Sequence, residues 1–356
     1  MYKSAYACYQ NLATKLDEIN RFIDLLEEQR NFILTHSDDK SQYLQLLRQT
    51  NHSSITYNAI IIGIYGAFEY YIDALFGDFL VFRKNTGWEL SEKEKGEYYN
   101  TACEFITNPN RYRNYPYTRE DVIHNMYEIG CQNTNSALSE LMLRHGGNLN
   151  FEQTNSLATK IGITTFAASF SSHAKDQQYL SCILSEDLRN ELIRSENMTK
   201  EKWQDIVEQR NSIAHTGNVD NRYAPAMLKN YVQVFKAIGK IVLHTVLEIM
   251  ASRLIESGCM KAFTPVHDVF SNHILATDLG DQPINTADLI VSRNSKGQCK
   301  VLRIESIQVN SVPVSTVDVP GTTLCMKVDK SIRDTQDFYY FPLSFSSASP
   351  TLPVES

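Results

Sequence analysis

Several things are missing from this sequence, and each absence closes a class of explanation. The seven cysteines, at positions 8, 103, 131, 182, 259, 299 and 325, are odd in number and no two form a CxxC. A zinc site or a disulfide framework is therefore not expected, and reduced thiols are the plain reading. Basic residues are not in surplus: 34 Lys and Arg stand against 41 Asp and Glu, for a formal net charge of −7 and a pI near 5.8. That excludes a surface coated with positive charge that grips polyanions indiscriminately, though not a small focused basic pocket. Uninterrupted apolar runs are also lacking. The two greasiest stretches run over 60–80 and 231–250, and are broken by Glu69, Asp73 and Asp78 and by Lys236, Lys240, His244 and Glu248. Neither reads as a membrane span. The opening MYKSAYACYQNLATKLDEIN has no apolar signal-peptide core, so a soluble, cytoplasmic chain is expected. No GxxxxGK[ST], GxSxG or kinase motif set occurs, and nucleotide hydrolysis and serine chemistry lack support. Histidines 36, 52, 124, 145, 173, 244, 267 and 273 show neither HExxH nor paired-ligand spacing. They read as core or surface residues rather than ligands, and no metal or cofactor is expected.

What is present is ample apolar material. Hydrophobic residues make up 42% and aromatics 10% of 356 residues, enough for a substantial core and for two or three domains. The first two-thirds are helical in pattern. Residues 6–34 place Leu12, Leu16, Ile19, Phe22, Ile23, Leu26 and Ile33 at three-and-four spacing, the signature of an amphipathic helix. A second long helix is expected from Ser54 as N-cap to Phe82, apolar on nearly every side and therefore central in a bundle. A polar segment follows with Trp88, the charged run SEKEKGE and the loop RYRNYPYTRED. Helical pattern resumes over 121–143, breaks at Gly146-Gly147, and returns over 151–184 with an interruption and over 186–193. Thr199 looks like a capped start to the next helix, and Thr216-Gly217-Asn218 looks like its end. The last long helix is expected over 226–257, with Val232, Phe235, Ile238, Val242, Val246 and Ile249 in register. At Gly258 the texture changes to short alternating runs (LIVSR, KVLRIESIQV, TTLCMKV, DFYYFPL) between Gly, Pro, Asn and Asp, which reads as a small all-β domain. The expected organisation is a mainly α-helical bundle over 1–257, a β-barrel over 258–345 and a disordered tail over 346–356. No internal repeat is visible.

One short stretch carries chemistry: EQRNSIAHTGN, residues 208–218. Arg210 and His215 are five positions apart, roughly 140° around an ideal helix. They do not share a face of a regular helix, so a joint site needs a distorted last turn or groups from a second copy. By spacing alone, two cations at a helix C-terminus are also what the macrodipole favours. The fuller string R-N-S-I-A-H-T-G lies between amphipathic helices and follows an earlier Tyr65-Gly-Ala-Phe-Glu69-Tyr-Tyr. On these two motifs the chain resembles the HEPN superfamily, with its R-x4-6-H signature, and more closely the bacterial HEPN-like nucleases of about this size. The resemblance covers about residues 1–257, and 88–147 has no counterpart in it and looks like an insertion. It implies a metal-independent endoribonuclease, usually a homodimer whose two Arg–His motifs face each other, acting as a toxin or an antiviral, abortive-infection effector on single-stranded or tRNA-like RNA. The residue types suit that chemistry. Histidine titrates near neutrality and His215 would move the proton. The planar donor fork of Arg210 would hold the developing phosphorane charge. Asn211 would orient the phosphate or the histidine. Glu69 would either hold Arg210 through a carboxylate pair or make a purely structural salt bridge. A different class of reading is a non-catalytic HEPN-type dimeric scaffold that binds RNA or a protein partner.

Two further features remain. The loop 111–119 interleaves Arg111, Arg113 and Arg119 with Tyr112, Tyr115 and Tyr117. It is either an RNA-guiding element, with phosphate contacts and base stacking on residues such as Tyr115, or a surface loop stapled by its own aromatics. In the C-terminal part, runs beginning at Asp288, Lys300, Pro320 and Ile332 resemble the second-domain β-barrel of translation elongation factors, although Thr335-Gln336 stands where a glycine is usual. From Gly258 onward there are eight Lys and Arg against ten Asp and Glu, no surplus with which to neutralise phosphates. Such a barrel would serve to recognise a protein trigger or antitoxin, to dock on translation machinery, or to cover the catalytic face.

Overall fold

In a computed structural model the chain is described over residues 2–36, 41–51, 54–112, 115–131, 137–176, 180, 183–194, 197–217 and 222–341. Eleven α-helices are found among the described residues, all before residue 257, and nine strands follow. The helices are α1 (Tyr2–Thr35), α2 (Gln42–Asn51), α3 (Ser54–Asn85), α4 (Glu92–Thr107), α5 (Arg119–Cys131), α6 (Ser139–Met142), α7 (Phe151–Lys160), α8 (Phe166–Ala174), α9 (Glu186–Arg194), α10 (Met198–Thr216) and α11 (Pro225–Glu256). The chain divides into two compact units, Ser4–Thr245 and Val246–Ser356 with Met1–Lys3. The division falls inside α11, twelve positions before the composition change at Gly258.

In the helical unit α3 is the core element. It is long and apolar enough to cross a membrane by length and composition, and more than half of its most apolar stretch is buried inside the protein. Ile61, Ile64, Phe68, Ile72, Leu75 and Phe76 are completely enclosed, as expected for a helix without a polar side. Phe68 meets Trp203 of α10 edge-on at 4.9 Å and Phe235 of α11 at 5.0 Å, the T-shaped geometry that aromatic quadrupoles favour. Phe151, Phe166 and Phe170 complete an aromatic cluster with Trp203. In α11 the anticipated stripe Val232, Phe235, Ile238, Val242 and Val246 is buried, and Ile249 half-buried. In α1, Leu12, Leu16, Ile23 and Ile33 are buried, but Phe22 is 42% exposed.

The segment 88–147 is more helical than its charge suggests. The run SEKEKGE, which reads in sequence only as part of a polar segment, starts α4. Ser91 caps the helix and Glu94 reaches back to the Ser91 backbone N–H at 2.6 Å, a reciprocal capping box. Two helix bounds also differ from expectation. α10 starts at Met198, which leaves Thr199 buried in its first turn, and α2 occupies a stretch where no helix is anticipated.

The second unit is built on an antiparallel sheet. Its strands are β1 (Val266–Phe270), β2 (Ile274–Asp278), β3 (Ile284–Asn285), β4 (Leu289–Arg293), β5 (Cys299–Val309), β6 (Val312–Val314), β7 (Thr316–Val317), β8 (Thr323–Val328) and β9 (Asp337–Phe341). The main sheet runs β1-β2-β8-β5-β4-β9, with β6 on β5. β5 serves both halves of it: residues 299–303 pair with β4, those from Ile304 to Gln308 pair with β8, and the register shifts between Ile304 and Ser306. Such a bulge lets one long strand bend from one sheet face to the next. At the far edge Ala262 bridges Tyr339, flanked by Phe263 N–H to Phe338 O at 2.8 Å and Tyr340 N–H to Lys261 O at 3.0 Å. The segment before β1 thus meets β9 and completes a barrel-like circuit around Leu275, Ile290, Leu302, Ile307, Met326 and Phe338. The tail expected to be disordered, 346–356, lies outside the described residues.

Candidate functional site

α10 is regular to Thr216. Gly217 closes it in the left-handed conformation at φ 71°, its N–H on Ile213 O at 2.9 Å, where a residue with a Cβ would be strained. The distorted last turn that would bring Arg210 and His215 together within one chain is therefore absent. The helix is seated by a polar network on its other faces. Asp205 accepts from the Tyr223 hydroxyl at 2.5 Å and from the Tyr231 hydroxyl. Tyr57 of α3 donates to Gln209 at 3.3 Å, and Asn58 donates to Gly217 O at 3.1 Å.

Arg210 and Asn211 come against the polar line of α3. On a largely apolar helix, Tyr65, Glu69 and Asp73 recur every four residues and so share one face. The Arg210 guanidinium lies 5.4 Å from the centre of the Tyr65 ring, and its Nη1 donates to Asn211 Oδ1 at 3.4 Å. Asn148, from the loop after α6, donates its side-chain amide to the same Asn211 oxygen. The Tyr65 hydroxyl has one hydrogen; it donates to Glu69 Oε1 at 2.8 Å and accepts from Leu149 N–H at 2.8 Å, with Asn148 Oδ1 further off at 3.5 Å. Burial first, then the hydrogen bond to Glu69 and its charge, push the Tyr65 hydroxyl well above the ordinary phenol range, and the Leu149 N–H and then Arg210 pull only partly the other way. Tyr65 is thus a fixed donor.

The expected carboxylate pair between Glu69 and Arg210 is not formed among the described residues. Glu69 is bound by Tyr65 four residues earlier, and the link to Arg210 runs through the tyrosine ring. His215 is exposed, one turn beyond Arg210 and on another side of the helix, and holds no polar partner among the described residues. The structure therefore brings Arg210, Asn211 and Glu69 together and leaves His215 apart from them.

The 111–119 loop is organised by its own aromatics. Tyr112 is buried against Phe105 at 4.9 Å and Tyr115 at 5.3 Å. Arg111 pairs with Glu104 at 2.8 Å, a carboxylate it shares with Arg144 at 2.9 Å. Arg119 is exposed at the start of α5, and Arg113 lies outside the described residues. Tyr115 is half-buried in this staple, the second of the two arrangements the sequence allows for the loop.

Three participants lie outside the Arg–His motif. Asn148 follows Gly146-Gly147, which reads in sequence as a simple helix break; His145 has no ligand-like spacing; and Asp73 interrupts an apolar run. The four-residue recurrence of Tyr65, Glu69 and Asp73 is the signal that could have found Asp73; no local signal marks Asn148 or His145. No group of three or more metal-ligating side chains occurs among the described residues. Compared with protein-family models, curated proteins and solved structures, the chain matches none.

Proposed function

We propose that this protein is an endoribonuclease of the HEPN kind, acting on RNA without a metal as a toxin or antiviral effector. The observation that carries the reading is the presentation of Arg210 and Asn211 on one face of α10, backed by Tyr65, Glu69 and Asn148, with an exposed imidazole at the same helix end. In the reaction a base takes the 2′-hydroxyl proton, O2′ bonds to phosphorus, and the P–O5′ bond breaks as the 5′-oxygen gains a proton. The products are a 2′,3′-cyclic phosphate and a 5′-hydroxyl. Arg210 neutralises the phosphorane oxygens, His215 carries a proton, and Asn211 orients the phosphate. Because α10 is regular, Arg210 and His215 of one chain diverge by roughly 140°, which favours a homodimer in which each site draws on both copies.

The test is the map of RNA 3′ ends after expression of the protein. Arg210→Ala and His215→Ala should each lower cleavage by about 10²–10⁴-fold with the helical circular dichroism unchanged. Cleavage should also persist in EDTA. Full activity in either variant, or loss on chelation, would sink the assignment. One observation favours the scaffold reading instead: His215 has no orienting partner among the described residues of the single chain. A scaffold would bind RNA or a protein equally well after His215→Ala.

A further inference from the structure

The loop 143–150, which brings Asn148 to the Arg210 face, is fastened at both ends. At its start Arg144 pairs with Glu104 and lies 4.0 Å from the centre of the Tyr112 ring, and Lys160 Nζ donates to the Leu141 and Arg144 carbonyls at 3.3 Å each. At its end Leu149 accepts from the Trp203 indole N–H at 2.8 Å and donates to Tyr65. Between these anchors stands His145. Its Nδ1 is 2.6 Å from Gly147 O, and its Nε2 faces Asp73 Oδ1 at 3.6 Å.

A carbonyl at one ring nitrogen and a carboxylate at the other are both acceptors. A neutral imidazole has a single N–H and must turn a bare lone pair toward one of them; only the imidazolium serves both. Asp73 Oδ1 is itself buried and has no hydrogen bond among the described residues. Loss of the proton therefore leaves a buried carboxylate oxygen facing a lone pair. The other charged or titratable groups nearby are Glu69 on α3, Tyr115, which senses Asp73 from the 112–118 segment, and Arg144 on the same loop, already held by Glu104. The contact with Asp73 foremost, assisted by the Gly147 carbonyl and opposed by burial, raises the His145 imidazole above its ordinary range.

We propose that His145 and Asp73 form a protonation-dependent clamp on this loop, which holds Asn148 against Asn211 and so assembles the Arg210 site. His145 is then a positioning residue, acting through Gly147 and Asn148. Since its folded value is raised, its stabilising contribution is fully present below the ordinary imidazole value near 6.5. That contribution is lost as pH rises through the folded value. The consequence for cleavage rests on the ribonuclease reading above; the clamp itself does not.

The test uses the full-length, ¹⁵N-labelled chain. Trp88 and Trp203 are its two tryptophans, and a Trp88→Phe variant assigns the two indole N–H resonances. Because the Trp203 indole binds Leu149 O, its resonance reports on the loop. Between about pH 5.5 and 9 it should shift in one step, with a midpoint above the ordinary imidazole value. Asp73→Asn should move that midpoint to lower pH. His145→Gln should abolish the step, and His145→Arg, which keeps the charge, should hold the resonance at its acid-side position. A Trp203 resonance that does not titrate, or one that titrates unchanged in His145→Gln, overturns the clamp. Cleavage should decline along the same alkaline limb in the wild type and lose that limb in His145→Arg. A clamp that titrates as described in a protein that cuts no RNA supports the clamp and sinks the ribonuclease reading.

Discussion

A guanidinium taken out of water is costly unless its donors find acceptors, and Arg83, 2% exposed, meets that cost through its two Nη groups, while its buried Nε holds no hydrogen bond among the described residues. Its Nη1 donates to Glu94 Oε1 at 2.6 Å and to Ile161 O at 2.8 Å, its Nη2 donates to Glu89 O at 2.6 Å, and the Trp88 ring covers it at 4.7 Å. The pair sits against Gly162, φ 94°, where a Cβ would lie 2.3 Å from Glu94 Oε1; only glycine permits that approach. One ion pair thus ties α3, the start of α4 and the end of α7 together. Burial raises the Glu94 carboxyl, but hydrogen bonds from Arg83 and Ser91 outweigh it and the net shift is downward. A depressed folded value means the contribution is present above the unfolded value near 4.5 and lost as pH falls through the folded one. Glu94→Gln should therefore cost roughly 3–5 kcal/mol at neutral pH, because it strands Arg83. Urea midpoints measured from neutral to acid pH should fall in the wild type and converge on those of the variant. A variant as stable as the wild type at neutral pH would refute this account. None of it is legible from spacing: Arg83 and Glu94 are eleven positions apart, and one of them lies in a run that reads as solvated charge. The site residues differ in the same way. Arg210, Asn211 and Glu69 are marked by local motifs, whereas Asn148 and His145 reach the site only because a loop folds back across α3.

At the scale of elements, periodicity served where one face of a helix is buried and failed where charge hides a cap. The long helices α1, α3 and α11 and the strands β4, β5, β8 and β9 stand where their apolar patterns place them, and α10 lies within one residue of its expected start. α4 was masked because Ser91 and Glu94 look like part of a charged run until the capping box is seen as reciprocal. The strands β3, β6 and β7 have only two or three residues each, too few for alternation to register. The regularity of α10 carries the next prediction. If each site takes Arg210 from one copy and His215 from the other, the two inactive variants should complement each other. Co-expressed in equal amounts, Arg210→Ala and His215→Ala chains should recover about a quarter of wild-type cleavage, since half the dimers are mixed and each holds one intact site. No recovery, in a protein that sedimentation shows to be a dimer, would place both groups of a site in one chain.

For the whole molecule, the boundary between the units matters more than the change in composition. The last turns of α11, from Val246, belong with the β unit rather than with the bundle. The contact shows at Cys299 on β5: burial foremost pushes its thiol up to about 11, against a hydrogen bond with Ser252, and Glu248 and Glu256 of the same helix end also raise it. Met250, Ala251 and Leu254 are buried. A chain cut after Ser257 would therefore keep a helix end whose partner has gone. Three apolar side chains losing cover, at about 1.5–3 kcal/mol for each large one, is more than an isolated three-turn helix can offset. The truncated chain should still show strong helical circular dichroism, carried by Ser4–Thr245 and its Trp203 cluster. Hydrogen exchange should separate the parts: amides of 246–256 lose protection on truncation, while those of α3 and α10 keep it. On the ribonuclease reading such a chain should also retain some cleavage of generic single-stranded RNA, since every proposed site residue precedes Val246. If α3 and α10 lose protection as well, the β unit is needed to hold the bundle together, and the two units are one cooperative structure rather than two.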